Sequence, residues 1–131
     1  MKIIITENKL EKILKQSGVI KTIELLGGWD NFCNVYNIES PMDFLHLFDN
    51  LEQVQSKSKE NWTIFRYSEG KNLMVYDRKY RIVYINFDEI WRVLDKLFGL
   101  TDDDVESHIE KWFDEVHNLK GVTARWNVGI V

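Results

Sequence analysis

Cations and tyrosines alternate along one stretch of this 131-residue chain. Arg66, Arg78, Lys79 and Arg81 stand among Tyr67, Tyr76, Tyr80 and Tyr84. On a sheet, such rings stack on nucleobases while the cations neutralise phosphates. Equally, aromatics and arginine anchor the cores of protein interfaces. The candidate contact set read from the sequence is Trp62, Arg66, Tyr76, Arg78, Lys79, Tyr80 and Arg81. Nucleic acid is the second choice, because the ribonucleoprotein signatures of RNA-recognition sheets are missing. The acidic balance (pI ≈ 5.4) would also repel a polyanion elsewhere on the surface.

Other chemistry finds less to work with. His108 follows Asp104 by four residues and His117 follows Asp114 by three, so each pair shares a helix face. Neither has a second histidine at ligand spacing, a cysteine pair, an HExxH motif or an EF-hand loop, and no metal site is expected. Packing beside Val105 and Trp112 accounts for His108, and a last-turn position suits His117. Cys33 falls on the inward side of a helical pattern, where thiols are inert. Gly27-Gly28 lacks a strong preceding strand, a third glycine and a P-loop lysine. Carboxylate pairs such as Asp77 with Asp88 are not singled out among 21 acids. The chain is therefore read as non-enzymatic, with no cofactor and no catalytic residues.

The elements that position these residues follow from caps and periodicity. Residues 2–5 read as a short strand or extended arm. Thr6 then caps a helix with Leu10, Ile13 and Leu14 inward, stopped at Gly18. A second short helix carries Val19, Ile23 and Leu26, and a third carries Trp29, Phe32, Cys33 and Tyr36. Ser40-Pro41-Met42-Asp43 opens a fourth, with Phe44, Leu45, Phe48 and Leu51 inward. Three antiparallel strands follow at 62–67, 72–76 and 81–85. The first two are joined by a loop at 68–71 with glycine at a left-handed position. Both faces of these strands are apolar, which predicts helices over one and a partner or more chain over the other. Asn86 and Glu89 read as cap and N3 of the next helix, with the Glu89 carboxylate reaching back to the cap N–H. Its apolar stripe is Phe87, Ile90, Trp91, Leu94, Leu97 and Phe98, ended by Gly99. Thr101 opens the last helix, with Val105, Ile109, Trp112, Phe113 and Val116 inward and Gly121 as its close. Residues 122–126 read as a last strand.

The predicted fold is α+β: a helical N-terminal half, a three- to four-stranded antiparallel sheet and two C-terminal amphipathic helices. All of it belongs to a single domain, 1–131, with a helical part at about 1–51, a linking segment at 52–61, and sheet and helices at 62–131. Five tryptophans promise a core built from large pieces or a partner surface. One cysteine permits no internal disulfide, and no run is long enough to span a membrane. The opening MKIII turns polar too soon for a signal peptide. These features predict a soluble intracellular protein. Charge is uneven: residues 62–81 hold five bases against two acids, and residues 86–117 ten acids against three bases, which predicts faces of opposite sign.

The opening "MKIIITENKLEKIL", residues 1–14, resembles that of small proteins from crAss-like tailed bacteriophages: a lysine, an isoleucine run, then Thr-Glu and an amphipathic helix. The resemblance covers about a tenth of the chain. It implies a phage protein in the host cytoplasm or the virion, as a particle component or an accessory. The expected function is protein–protein interaction or assembly, by self-association or with a protein partner. The alternative is a nucleic-acid-binding accessory that uses the basic, tyrosine-bearing hairpin. No membrane partner is expected.

Overall fold

A computed structural model describes residues 7–67 and 71–128, without the side chains of Glu7, Asn8, Leu10 and Glu11. The arm at 2–5, the Thr6 cap, the inward Leu10 and the 68–70 part of the hairpin loop lie outside these residues.

The fold is α+β, with helices leading into a mixed five-stranded sheet. Helix α1 (Glu7–Leu25) bends at Gly18, whose φ of 79° and ψ of 174° are not helical. The two short helices read from the sequence are thus two arms of one element, with Leu14 buried before the bend and Val19 and Ile23 after it. Helix α2 (Trp29–Tyr36) buries Phe32 and stops where Asn37 turns left-handed. Helix α3 (Pro41–Leu45) begins with a full capping box. Ser40 Oγ accepts from the Asp43 N–H at 3.3 Å, and the Asp43 carboxylate accepts from the Ser40 N–H at 3.0 Å. A 3₁₀ turn, His46–Phe48, continues it, and Phe44, Leu45, Phe48 and Leu51 are all buried.

Strands β1 (Glu52–Gln55), β2 (Trp62–Arg66), β3 (Asn72–Asp77), β4 (Ile82–Asn86) and β5 (Thr123–Asn127) lie side by side in chain order. The first four are antiparallel, and β5 is parallel to β4. This corrects the expected three- to four-stranded antiparallel sheet in two ways. The segment read as a linker supplies β1, whose ladder to β2 needs no apolar alternation because β1 is an exposed edge. The last strand returns through two helices, a crossover that brings it back in the direction of β4.

A π-helical turn (Phe87–Trp91) runs straight into α4 (Arg92–Phe98), followed by α5 (Asp102–His117). Asn86 Oδ1 caps the Glu89 N–H at 2.9 Å, and Thr101 Oγ1 caps the Asp104 N–H at 3.2 Å. Helix α4 ends at Gly99 (φ 61°). Helix α5 ends at Asn118 (φ 54°), ahead of the Gly121 stop expected for it.

One continuous core runs from Leu14 to Ala124 through both helices and sheet. From α5, Phe113 meets Phe65 at 5.7 Å and Tyr76 at 6.3 Å, ring centre to ring centre. Two buried indoles donate to carboxylates at the core's margin, Trp112 to Asp49 at 2.8 Å and Trp91 to Asp102 at 3.0 Å. Among the described residues, no helix is long and apolar enough to cross a membrane.

Candidate functional site on the outer sheet face

Strand register sorts the sheet into two faces, because side chains alternate along each strand. Phe65, Met74 and Ile85 form one cross-strand row, and Thr63, Tyr76, Val83 and Ala124 another, both on the side covered by α5. The intervening residues face the other way. Val54, Ile64, Val75, Tyr84 and Arg125 follow one another across all five strands, with Trp62, Asp77, Ile82 and Thr123 in the next row. Trp62 and Tyr84 touch on the diagonal, ring centres 5.9 Å apart. Val75, at the centre, is 1% exposed, while Val54, Trp62, Ile64, Ile82 and Tyr84 around it are half-buried. Val75 lies outside the main core cluster.

The sequence-read contact residues divide between four places. Trp62 and Arg66 are on this outer face, and Arg66 Nε pairs with Glu52 at 3.3 Å. Tyr76 is not on it. Tyr76 is buried on the opposite side against Phe113, because its register partner is Thr63 of the inner row. Tyr67 is likewise buried, against Phe48 at 6.2 Å. Lys79 and Tyr80 project from the β3–β4 turn, with Tyr80 65% exposed and Lys79 Nζ 5.3 Å from its ring centre. Together with Trp62 they line a cleft of about 300 Å³ that also holds Lys59, Glu60, Asn61 and the buried Asp77. Lys59 Nζ lies 5.4 Å from the Trp62 ring centre.

Arg78 and Arg81 are occupied by the fold. Arg78 donates to Gln55 Oε1 at 2.8 Å, Thr63 Oγ1 at 3.1 Å and the Glu60 carbonyl at 2.7 Å, tying the turn to β1 and β2. Arg81, at a left-handed φ of 54°, donates to the Lys120 carbonyl at 3.2 Å and accepts from the Thr123 N–H at 2.9 Å. Both arginines therefore position strands. Tyr84, named among the sheet tyrosines but left out of the contact set, belongs to the face, as do Val54, Ile64 and Ile82, which the sequence reading did not single out. The alternation at 62, 64 and 66 and at 82 and 84 carries the signal for most of them.

A second group of polar residues is assembled inside the molecule. The Glu89 side chain is 7% exposed and its carboxylate accepts from the Val19 N–H, at the start of the second arm of α1. It does not reach back to its own cap, as the spacing predicted, because the π turn carries it over the bend in α1. Lys71 Nζ is 3.9 Å away. The Tyr67 hydroxyl is buried without a partner among the described residues, and its ionisation is pushed far up, first by burial and then by the Glu89 and Tyr36 charges. Burial alone pushes Tyr36 up to about 12. These phenols stay neutral at any physiological pH.

His117 sits in a ring box, 5.1 Å from Trp112, 5.2 Å from Phe65 and 5.4 Å from Phe113, centre to centre. Its Nε2 is buried without a partner among the described residues, and burial lowers its pKa against the opposing pull of Asp49. His108 Nδ1 meets the Asp104 carbonyl at 2.6 Å, so this pair is joined through the backbone. Among the described residues, no three His, Cys, Asp or Glu side chains are grouped to hold a metal ion. Cys33 is half-buried, its thiol pushed up by burial first and by Asp30 second. No protein-family model, curated protein or solved structure matches this chain.

Proposed function

We propose that this chain is a non-enzymatic assembly protein whose outer sheet face closes on the same face of a second copy. The observation that carries the reading is the cross-strand row Val54–Ile64–Val75–Tyr84, with Trp62 and Ile82 beside it, in which every side chain but Val75 is left partly exposed. Sheets with apolar faces pack about 10 Å apart, face to face. A two-fold pairing asks only that the patch be complementary to itself. The rim meets that condition electrically: Glu52 balances Arg66 at one side, and Glu106 balances Arg125 at the other, 3.2 Å apart. Two copies can meet there without like-charge repulsion. Taken with the resemblance carried by residues 1–14, the setting is a bacteriophage, as a particle component or an accessory in its host.

The second reading is nucleic-acid binding at the cleft beside this face. It is favoured by the Lys59–Trp62 and Lys79–Tyr80 stacks, since both ammonium groups and both rings are at the surface. Against it, Arg66, Arg78 and Arg81 already have acceptors within the fold.

Light scattering of the purified chain in low and high salt, with and without a single-stranded oligonucleotide, separates the two. Apolar sheet pairing gives a dimer that survives high salt. A monomer at every concentration and salt, shifting only with oligonucleotide at low salt, would replace the first reading by the second.

A further inference from the structure

A cleft of about 430 Å³ opens between α1, α2 and α4, within the roughly 300–1,000 Å³ usual for small-ligand sites. Its walls are Ile20, Trp29, Asp88, Arg92 and Lys96. Trp29, the first residue of α2, is 38% exposed, an unusual position for so large a ring. Arg92 and Lys96 are one helical turn apart on α4, so both reach the same side. Neither cation forms a hydrogen bond or ion pair with a described residue, and neither does the Trp29 indole N–H. The cleft therefore presents many free donors, one aromatic surface and one carboxylate. A second cavity of about 390 Å³ adjoins it at Trp29 and is lined by Gly27, Gly28, Asp30 and Asn31.

We propose that this cleft binds a nucleoside monophosphate. One ligand class matches its three kinds of wall. A phosphate monoester dianion meets the Arg92 fork and the Lys96 ammonium, whose two charges balance it. The base lies against the Trp29 ring and Ile20. Asp88, an acceptor with no donor of its own in the described residues, takes ribose hydroxyl or exocyclic amine protons. The net charge of −4 and the acids nearby disfavour long polyanions, which is why a single nucleotide fits better than a strand. This site is independent of the outer sheet face.

The test is a ¹H–¹⁵N titration of the whole chain with adenosine monophosphate, reading the indole N–H resonances. The Trp29 signal is assigned from its loss in Trp29→Phe. A saturable shift of that signal is expected, weakened about tenfold or more in Arg92→Ala/Lys96→Ala. Because Arg92 and Lys96 are exposed, the double variant should keep the unfolding midpoint of the parent, which is measured alongside. Adenosine and inorganic phosphate alone are run as separate arms, and each should bind much more weakly than the monophosphate. No saturable shift, an equal shift with phosphate alone or adenosine alone, or full binding by the double variant would each overturn the proposal. A short oligonucleotide binding more tightly than the monophosphate would overturn its restriction to single nucleotides.

Discussion

A methyl group at residue 18 would lie 2.8 Å from Glu89 Oε2, and the backbone there has a φ of +79°. Gly18→Ala thus meets two penalties, a positive-φ, extended-ψ backbone that is essentially confined to glycine and a carboxylate that cannot retreat without releasing Val19. Denaturant unfolding should show a loss of about 2 kcal/mol from the backbone alone, and more if Glu89 is displaced. Glu89→Ala tests the other side of the contact. It strands the Val19 N–H in the interior and should cost about 1–3 kcal/mol. A variant as stable as the parent would mean that the carboxylate does not cap this arm. His117 makes a pH prediction whose sign follows from its lowered pKa. Below the ordinary histidine range, about 6.5, the unfolded chain takes up a proton that the folded chain refuses. Stability should therefore fall as pH drops from that value toward the lower folded one, and level off below it. In His117→Phe this part of the pH dependence should vanish from the unfolding midpoints. An unchanged profile would place the titration on another group.

The starts of elements are where the sequence speaks most clearly, because a cap is a local chemical event. Ser40 with Asp43, Asn86 and Thr101 each announce a helix, and each side chain makes its bond to the expected backbone N–H. Ser40→Ala should cost about 1 kcal/mol of stability, read by the same unfolding curves, and no change would show that α3 is held by its packing alone. What was not legible depends on distant partners. Glu52–Gln55 shows one apolar residue among polar ones, and becomes a strand only because β2 offers a ladder. The direction of β5 is set by the crossover through α4 and α5, which no local pattern encodes. Glu89 sits at an N3 position that normally serves its own cap, yet its carboxylate serves a helix 70 residues earlier. The aromatics and cations of the sheet region were legible as residue types, but the face each one occupies was not. Tyr76 and Trp62 both look like surface aromatics in sequence, and one step of register sends them to opposite faces. Arg78 looked like a phosphate contact but spends its donors on three acceptors across the turn. The cleft at Trp29 had no sequence signal, since its walls come from α1, α2 and the α4 region.

At the scale of the whole molecule, α5 covers one side of the sheet, and on the other the described residues around Val75 keep partly exposed side chains. The apolar cross-strand row that ends at Tyr84, with Trp62 beside it, is a surface that association can remove from water, at about 25 cal/mol for each Å². Its charged rim is internally balanced, so salt should matter little to that association. The most direct measurement is sedimentation velocity on the parent and on Ile64→Lys, whose charge falls in the middle of the outer row. A parent dimer and a folded, monomeric Ile64→Lys are the results this account predicts. A parent that stays monomeric at high concentration, or an Ile64→Lys variant that dimerises as the parent does, would contradict it.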